Sequence, residues 1–234
     1  MIGKTRNGRL IVFLGPVGVG KSTIISRLVQ ELKTRKIKVF RIFIKAFHGP
    51  SYILWTFVAR ILGLKNTTKK HHAPWFSIPR SGRIDLARVL IIISLYFDTF
   101  LSIPLKLMLI KLLKYAGYFV LSEEYIHSTL FEYIYSFIDL KMEGMLRKLT
   151  LVPMKLLSVL LNRYPPNVTV ILLADISGLR HRWFIRGYGE PRLRYVISQQ
   201  RFFNILKKLN NVLILDTTQM SLNEVLNKIL HEVT

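Results

Sequence analysis

At 234 residues, half of them hydrophobic and only 21% charged, the chain is long enough for one α/β domain with a sizeable core and too apolar to be disordered. Its 35 Lys+Arg against 13 Asp+Glu leave a net charge of +22, which favours polyanionic partners such as nucleotides, nucleic acids or anionic membrane surfaces, although a solvated basic surface carries the same count. The absence of cysteine excludes a disulfide framework and any thiolate-ligated metal.

The start, Met1-Ile2-Gly3-Lys4-Thr5-Arg6, lacks the apolar stretch of a signal peptide, so a cytoplasmic location is expected. Leu10 to Leu14 is a short apolar run stopping at Gly15, the pattern of a buried parallel strand. Lys21 to Thr34 carries Ile24, Ile25, Leu28, Val29 and Leu32 on one helical stripe. Lys38 to Ile44 alternates as a second strand, and Ser51 to Leu62 reads as a helix. Residues 64–83 show little periodicity and predict a mobile loop.

Val89 to Leu113 is apolar over nearly the length that spans a bilayer. Asp98 lies within it, Pro104 interrupts it, and Lys106 and Lys111 follow. A charge at bilayer depth costs about 2.5–3.5 kcal/mol on insertion scales. The expectation is a buried helix, or two helices bent at Pro104, with membrane contact through 89–113 as the lesser reading. Strands are predicted at Gly117–Leu121, Val168–Leu173 and Val212–Leu215, with helices at Tyr125–Leu140 and Met145–Arg163. Basic helices fill the interval before the last strand. A terminal helix starts at Ser221, with Glu224 three residues on as a capping box. Alternating strands and helices predict one α/β domain over 1–234, a five-stranded parallel sheet with helices on both faces.

Gly15-Pro16-Val17-Gly18-Val19-Gly20-Lys21-Ser22 matches G-x-x-x-x-G-K-[ST] at every fixed position, between an apolar strand and an amphipathic helix. That is the P-loop pattern. Its backbone N–H groups and the helix N-terminus suit a β-phosphate. Lys21 is positioned for the β- and γ-phosphates, Ser22 for Mg²⁺ and Thr23 for the α-phosphate. ATP and Mg²⁺ are the cofactors this predicts.

The third strand runs into Ser122-Glu123-Glu124-Tyr125. In an open α/β sheet, ligands sit beyond the carboxyl ends of the strands, so a carboxylate here faces the P-loop. Glu123 is the candidate for magnesium's water shell or for accepting a proton. Glu124 also suits a helix N-terminus. Past the fourth strand, Asp175 opens a segment in which Arg180, Arg182, Arg186, Arg192 and Arg194 fall within 15 positions. Arg182 and Arg186 are four apart and share a helix face. Arginine forks suit phosphoryl oxygens, and Gly187 after them suits a flap, so residues 178–194 are read as an arginine-bearing lid.

Gly15–Thr23, Ser122-Glu123-Glu124-Tyr125 with Ser128, the Asp175…Arg182-x-x-x-Arg186-Gly187 segment and Leu215-Asp216-Thr217-Thr218 resemble, in order, the thymidylate kinase family of P-loop nucleoside monophosphate kinases. Phe47-His48-Gly49-Pro50-Ser51-Tyr52 and the apolar helix carrying Asp98 are similar to its divergent archaeal and bacterial branch. The resemblance implies phosphoryl transfer from ATP to a nucleoside monophosphate, typically dTMP, under an arginine-bearing lid. It implies catalytic roles for Lys21, Glu123, Arg182 and Arg186, and acceptor contacts at Arg41, Glu124 and Ser128. Two departures stand out. Glu124 occupies the place of an arginine that positions the acceptor phosphate, so reversing its charge is expected to strengthen acceptor binding. Two residues are also missing between Asp175 and Arg182. A P-loop ATPase or basic nucleic-acid-associated protein is therefore the alternative reading. A homodimer and contacts to nucleic acid or an anionic membrane are further partner expectations, none of them required.

Overall fold

The computed structural model describes residues 8–64, 73–185, 193–207 and 211–233. Along the chain, β1 (Arg9–Leu14), α1 (Lys21–Thr34), β2 (Val39–Phe43), α2 (Pro50–Ile61) and α3 (Pro74–Arg80) lead into α4 (Ile84–Phe97) and α5 (Ile103–Tyr115). Then come β3 (Phe119–Glu123), α6 (Ile126–Asp139), α7 (Gly144–Arg163), β4 (Val168–Leu173), α8 (Ile176–Ile185), α9 (Leu193–Leu206), β5 (Val212–Asp216) and α10 (Leu222–Val233). All pairings in the sheet are parallel, in the order β2-β3-β1-β4-β5. This is the P-loop α/β fold that the strand–helix alternation predicts.

β1 is central and buried on both faces, which is why it reads as a continuous apolar run. Its side chains alternate: Leu10, Val12 and Leu14 join one core, Ile11 and Phe13 the other. The second core takes Ile24, Ile25, Leu28 and Leu32 from α1 and Val225, Ile229 and Val233 from α10. The first takes residues of α2 to α7. At the start of α10, Ser221 N–H donates to Glu224 Oε2 at 2.7 Å and Glu224 N–H donates to Ser221 Oγ at 3.3 Å, the expected capping box.

Three features differ from the sequence-based expectation. β3 lies two residues later than Gly117–Leu121, because Gly117 at φ 80° closes α5 and the chain turns there before pairing begins. Within the stretch expected to be a loop, Pro74–Arg80 is helical and residues 65–72 lie outside the described residues. Pro74 sits in the first turn, where a missing N–H costs nothing, and Trp75 stacks on Phe47 at 5.3 Å. Packing, rather than periodicity, holds that helix.

The third difference is the apolar run. Residues Ile84–Tyr115 form a continuous 32-residue helical stretch, long and apolar enough to cross a membrane, yet half of its most apolar window is buried within the protein. The irregularity falls at Asp98–Ser102, a π turn in which Ile103 N–H donates to Asp98 O, rather than at Pro104 itself. Pro104 cannot supply the next helical N–H, and the widened turn absorbs that loss.

Asp98 is 1% exposed and accepts from Phe47 N–H at 2.8 Å, Ser51 Oγ at 2.7 Å and Tyr133 OH at 2.6 Å. Burial raises its pKa, an effect these three donors only partly offset. The carboxylate thereby pins the β2–α2 turn, including Phe47 at the left-handed φ of 63°. Asp98→Ala would leave Phe47 N–H and Tyr133 OH without an acceptor, at about 1–3 kcal/mol each before relaxation, while Ser51 Oγ keeps Ser94 O at 3.3 Å. A loss of at least about 2 kcal/mol in chemical denaturation is expected, and a loss under about 1 kcal/mol would contradict this role.

Candidate active site

The loop Gly15–Gly20 leaves β1 at the carboxyl edge of the sheet and delivers Lys21 as the first residue of α1. Two glycines are needed for space. A Cβ on Gly15 would lie 2.3 Å from Leu172 O, and one on Gly18 would lie 2.9 Å from the Trp183 ring. No acidic residue occupies the first turn of α1, so its free N–H groups and the positive end of the helix dipole are suited to an anion.

Lys21 is 6% exposed. Its ammonium has three donors and three oxygen partners: Gly15 O at 2.6 Å, Pro16 O at 3.0 Å and Glu124 Oε1 at 3.0 Å. Glu124, 3% exposed, also accepts from Ser128 Oγ. Its backbone is left-handed, φ 65°, and is held there by Glu124 N–H to Phe13 O at 3.0 Å and Ser122 Oγ to Glu124 O at 2.6 Å. Burial alone would raise the Glu124 pKa, but Lys21 and then Lys45 hold it below the ordinary carboxylate value.

This placement gives Glu124 a partner, Lys21, other than the acceptor phosphate expected beside it. The side chain is the buried counter-ion of the loop lysine, and Glu124→Arg would set a third cation against Lys21 and Lys45. Breaking such a pair typically costs about 3–5 kcal/mol. Glu124→Arg is therefore expected to lower unfolding free energy by that amount and to weaken nucleotide binding. A variant of unchanged stability that binds dTMP more tightly would restore the original expectation.

Glu123, the last residue of β3, accepts from Ser22 Oγ at 2.5 Å and pairs with Arg41 at 2.5 Å; Arg41 also reaches Ser26 Oγ at 3.3 Å. The fold thus brings Ser22 and Glu123, 101 positions apart, to one point beside the loop. A hydroxyl and one carboxylate fit Mg²⁺ bound together with phosphates and water. Among the described residues no group of three or more His, Asp or Glu side chains forms a self-sufficient metal site. Arg41 faces Glu123 on this side of the loop, at 43% side-chain exposure.

Behind Glu124 lies a buried polar chain that no sequence motif announces. Lys45, just past β2, is 3.5 Å from Glu132 of α6, and Tyr195 OH donates to Glu132. Gln199 Nε2 donates to Tyr195 OH at 2.9 Å, and Gln199 Oε1 accepts from Val17 N–H at 3.3 Å. Burial raises the Glu132 pKa, with Lys45 and Tyr195 opposing. Burial would lower Lys45, but Glu132 and Glu124 outweigh it and raise its pKa. Aromatic rings flank this chain: Phe47 with Trp75, His48 with Trp75 at 5.8 Å, and Phe76 with Tyr195 at 6.2 Å.

Arg182 lies on the other side of the loop. It donates to Val19 O at 3.2 Å, Thr217 Oγ1 at 3.0 Å and Thr217 O at 2.9 Å, and Trp183 Nε1 donates to Val17 O at 2.8 Å. Asp175, read as the opening of the lid segment, caps α8 by accepting from Gly178 N–H at 3.0 Å. Arg182 borders a cavity of about 310 Å³ with Thr23, Thr217 and an apolar floor of Ile24, Ile185 and Val225. Arg186 and the lid tip at 186–192 lie outside the described residues. The signal for Thr217 was present in Leu215-Asp216-Thr217-Thr218; Lys45, Glu132, Gln199 and Trp183 had none, since each is defined by a distant partner.

His127, on the first turn of α6, is 5% exposed, and its Nδ1 has no hydrogen-bond partner among the described residues. Burial lowers its pKa from 6.5 to about 4. The unfolded chain therefore binds a proton between those values that the folded chain refuses, so stability is full above pH 6.5 and falls as pH drops towards 4. About 3 kcal/mol is expected from this residue across that window. His127→Phe should flatten the pH profile of urea denaturation by that amount, and an unchanged profile would refute the assignment.

Fold and loop together define a P-loop protein: five parallel strands, the phosphate loop between β1 and α1, and a hydroxyl–carboxylate pair at its head. No family model and no curated protein matches the chain. Among solved structures it is similar to thymidylate kinase from Candida albicans, a structure described as revealing the origin of that enzyme's broad substrate specificity. The TM-score is 0.58 at 17% identity, over 96% of this chain and 90% of that one. At that identity the likeness is one of fold.

Proposed function

We propose that the protein is a nucleoside monophosphate kinase of thymidylate-kinase type, transferring the γ-phosphoryl of ATP to an acceptor, dTMP first. The observation that carries the reading is the 2.5 Å contact of Ser22 Oγ with Glu123 at the head of the complete phosphate loop. Ser22 and Glu123 would hold Mg²⁺, which when bound neutralises charge on the β- and γ-phosphates. Lys21 supplies a positive charge to the same oxygens, and Glu124, 3.0 Å away, holds its ammonium against the loop carbonyls. Arg182 and Thr217 frame the cavity suited to the nucleotide base, since a guanidinium stacks on planar rings. The aromatic rings around Phe47, His48 and Trp75, with Lys45 beside them, support an acceptor base lying opposite. Arg182 in this reading orients ATP rather than touching the migrating phosphoryl; Arg186 keeps the lid role.

The ATPase reading draws on one observation: Glu123, Glu124 and Glu132 bring three carboxylates to the side where an acceptor phosphate would bind. Calorimetric titration of each nucleoside monophosphate, with a non-hydrolysable ATP analogue and Mg²⁺ present, separates the two. Saturable dTMP binding is expected. No binding by any monophosphate, with the analogue bound, would favour the hydrolase.

A further inference from the structure

We propose that the edge of the sheet opposite the phosphate loop docks on an anionic membrane surface, through a basic groove joined to an apolar stripe on α5. The groove, about 1220 Å³, is lined by Lys36 and Lys38 before β2, by Lys111 and Lys114 of α5, and by exposed Met108 and Tyr115. It borders the amino-terminal ends of β1, β2 and β3, whereas the phosphate loop lies at the carboxyl ends. No carboxylate lines it, and none of these four lysines has an ion-pair partner within 4.0 Å among the described residues. Partial burial lowers the Lys114 pKa.

The apolar part continues up the helix. Phe97, Leu101, Leu105, Met108, Leu112 and Tyr115 recur at three- and four-residue spacing and are 40%, 43%, 53%, 57%, 60% and 95% exposed. The opposite stripe of α5, with Ile103, Leu107 and Ile110, is buried in the core. An exposed apolar helix face rimmed by lysine is the composition of an interfacial helix lying in the headgroup plane. The choice of occupant rests on charge. A second copy would bring the same lysines of a +22 chain towards one another, while an anionic leaflet complements them. Docking this edge leaves the phosphate loop facing away from the membrane and open to solutes. The proposal does not depend on the kinase reading.

The test is flotation of the full chain with vesicles of phosphatidylcholine alone or with 30% phosphatidylglycerol, the latter fraction being roughly that of an anionic leaflet. Binding is expected only to the anionic vesicles. Each lysine near such a surface is worth about fivefold in affinity, so Lys111→Gln/Lys114→Gln should weaken binding on the order of 25-fold. Arg27→Gln/Lys228→Gln, an equal charge change on the opposite face of the sheet, should leave it unchanged. Leu112→Asp should abolish binding while the thermal unfolding midpoint holds. Equal binding to both vesicle types, equal loss in the two charge pairs, or a dimer in sedimentation velocity that Leu112→Asp dissociates would each overturn the proposal.

Discussion

Lys21→Ala is expected to reduce ATP-dependent turnover on the order of 10²–10³-fold, the cost of removing one preorganised donor from developing charge. The same substitution is also expected to destabilise the fold. Lys21 is buried against Glu124, so its loss strands a carboxylate at 3% exposure, and breaking such pairs costs about 3–5 kcal/mol. Ser128 and Lys45 remain beside Glu124 and place the effect at the lower end. The two consequences separate in the double variant Lys21→Ala/Glu124→Gln, which removes both charges. Stability should recover by at least about 1 kcal/mol relative to Lys21→Ala, as coupled neighbours are non-additive, while turnover stays lost. Measured turnover equal to wild type, with unchanged ATP affinity, would remove the basis of the nucleotide reading.

Glu123→Gln is expected to slow the chemical step on the order of 10²–10⁴-fold, the range for losing an acid–base or metal-orienting group. The fold should tolerate it. Glu123's ionic partner is Arg41, whose side chain is 43% exposed, and pairs at such positions contribute about 0–1 kcal/mol. The amide can still accept from Ser22 Oγ but carries no charge for Mg²⁺. The diagnostic readout is the Mg²⁺ concentration needed for half-maximal rate, which should rise in Glu123→Gln and not in Glu124→Gln. A larger loss of rate per folded molecule in Glu124→Gln would exchange the roles of the two carboxylates.

What the sequence made legible is what is local. The phosphate loop is eight consecutive residues, β1, β3 and β4 are short, almost wholly buried runs, and the capping box is a three-residue spacing. Each is set by backbone geometry and solvent exclusion within a short window. What was hidden is what is long-range. Glu124 resembles a substitute for an acceptor arginine until its partner, Lys21, is seen 103 positions away at 3.0 Å. Arg182 lies on α8, and among the described residues Thr217 and Val19 accept its guanidinium and fix where it points. The helix Pro74–Arg80 has no periodicity to read because stacked rings hold it. At Asp98 the sequence gives a charge in an apolar run; the three donors that justify it come from β2–α2 and α6.

Phosphoryl transfer to a nucleotide is read by following the γ-phosphoryl itself. Purified protein, Mg²⁺ and ATP labelled at the γ-position are mixed with dTMP, and dTDP, ADP and inorganic phosphate are resolved together. Label is expected in dTDP in one-to-one proportion with ADP, with inorganic phosphate at background. Label released as inorganic phosphate at the same rate with and without dTMP, or with any other nucleoside monophosphate, would contradict it and make the protein an ATPase.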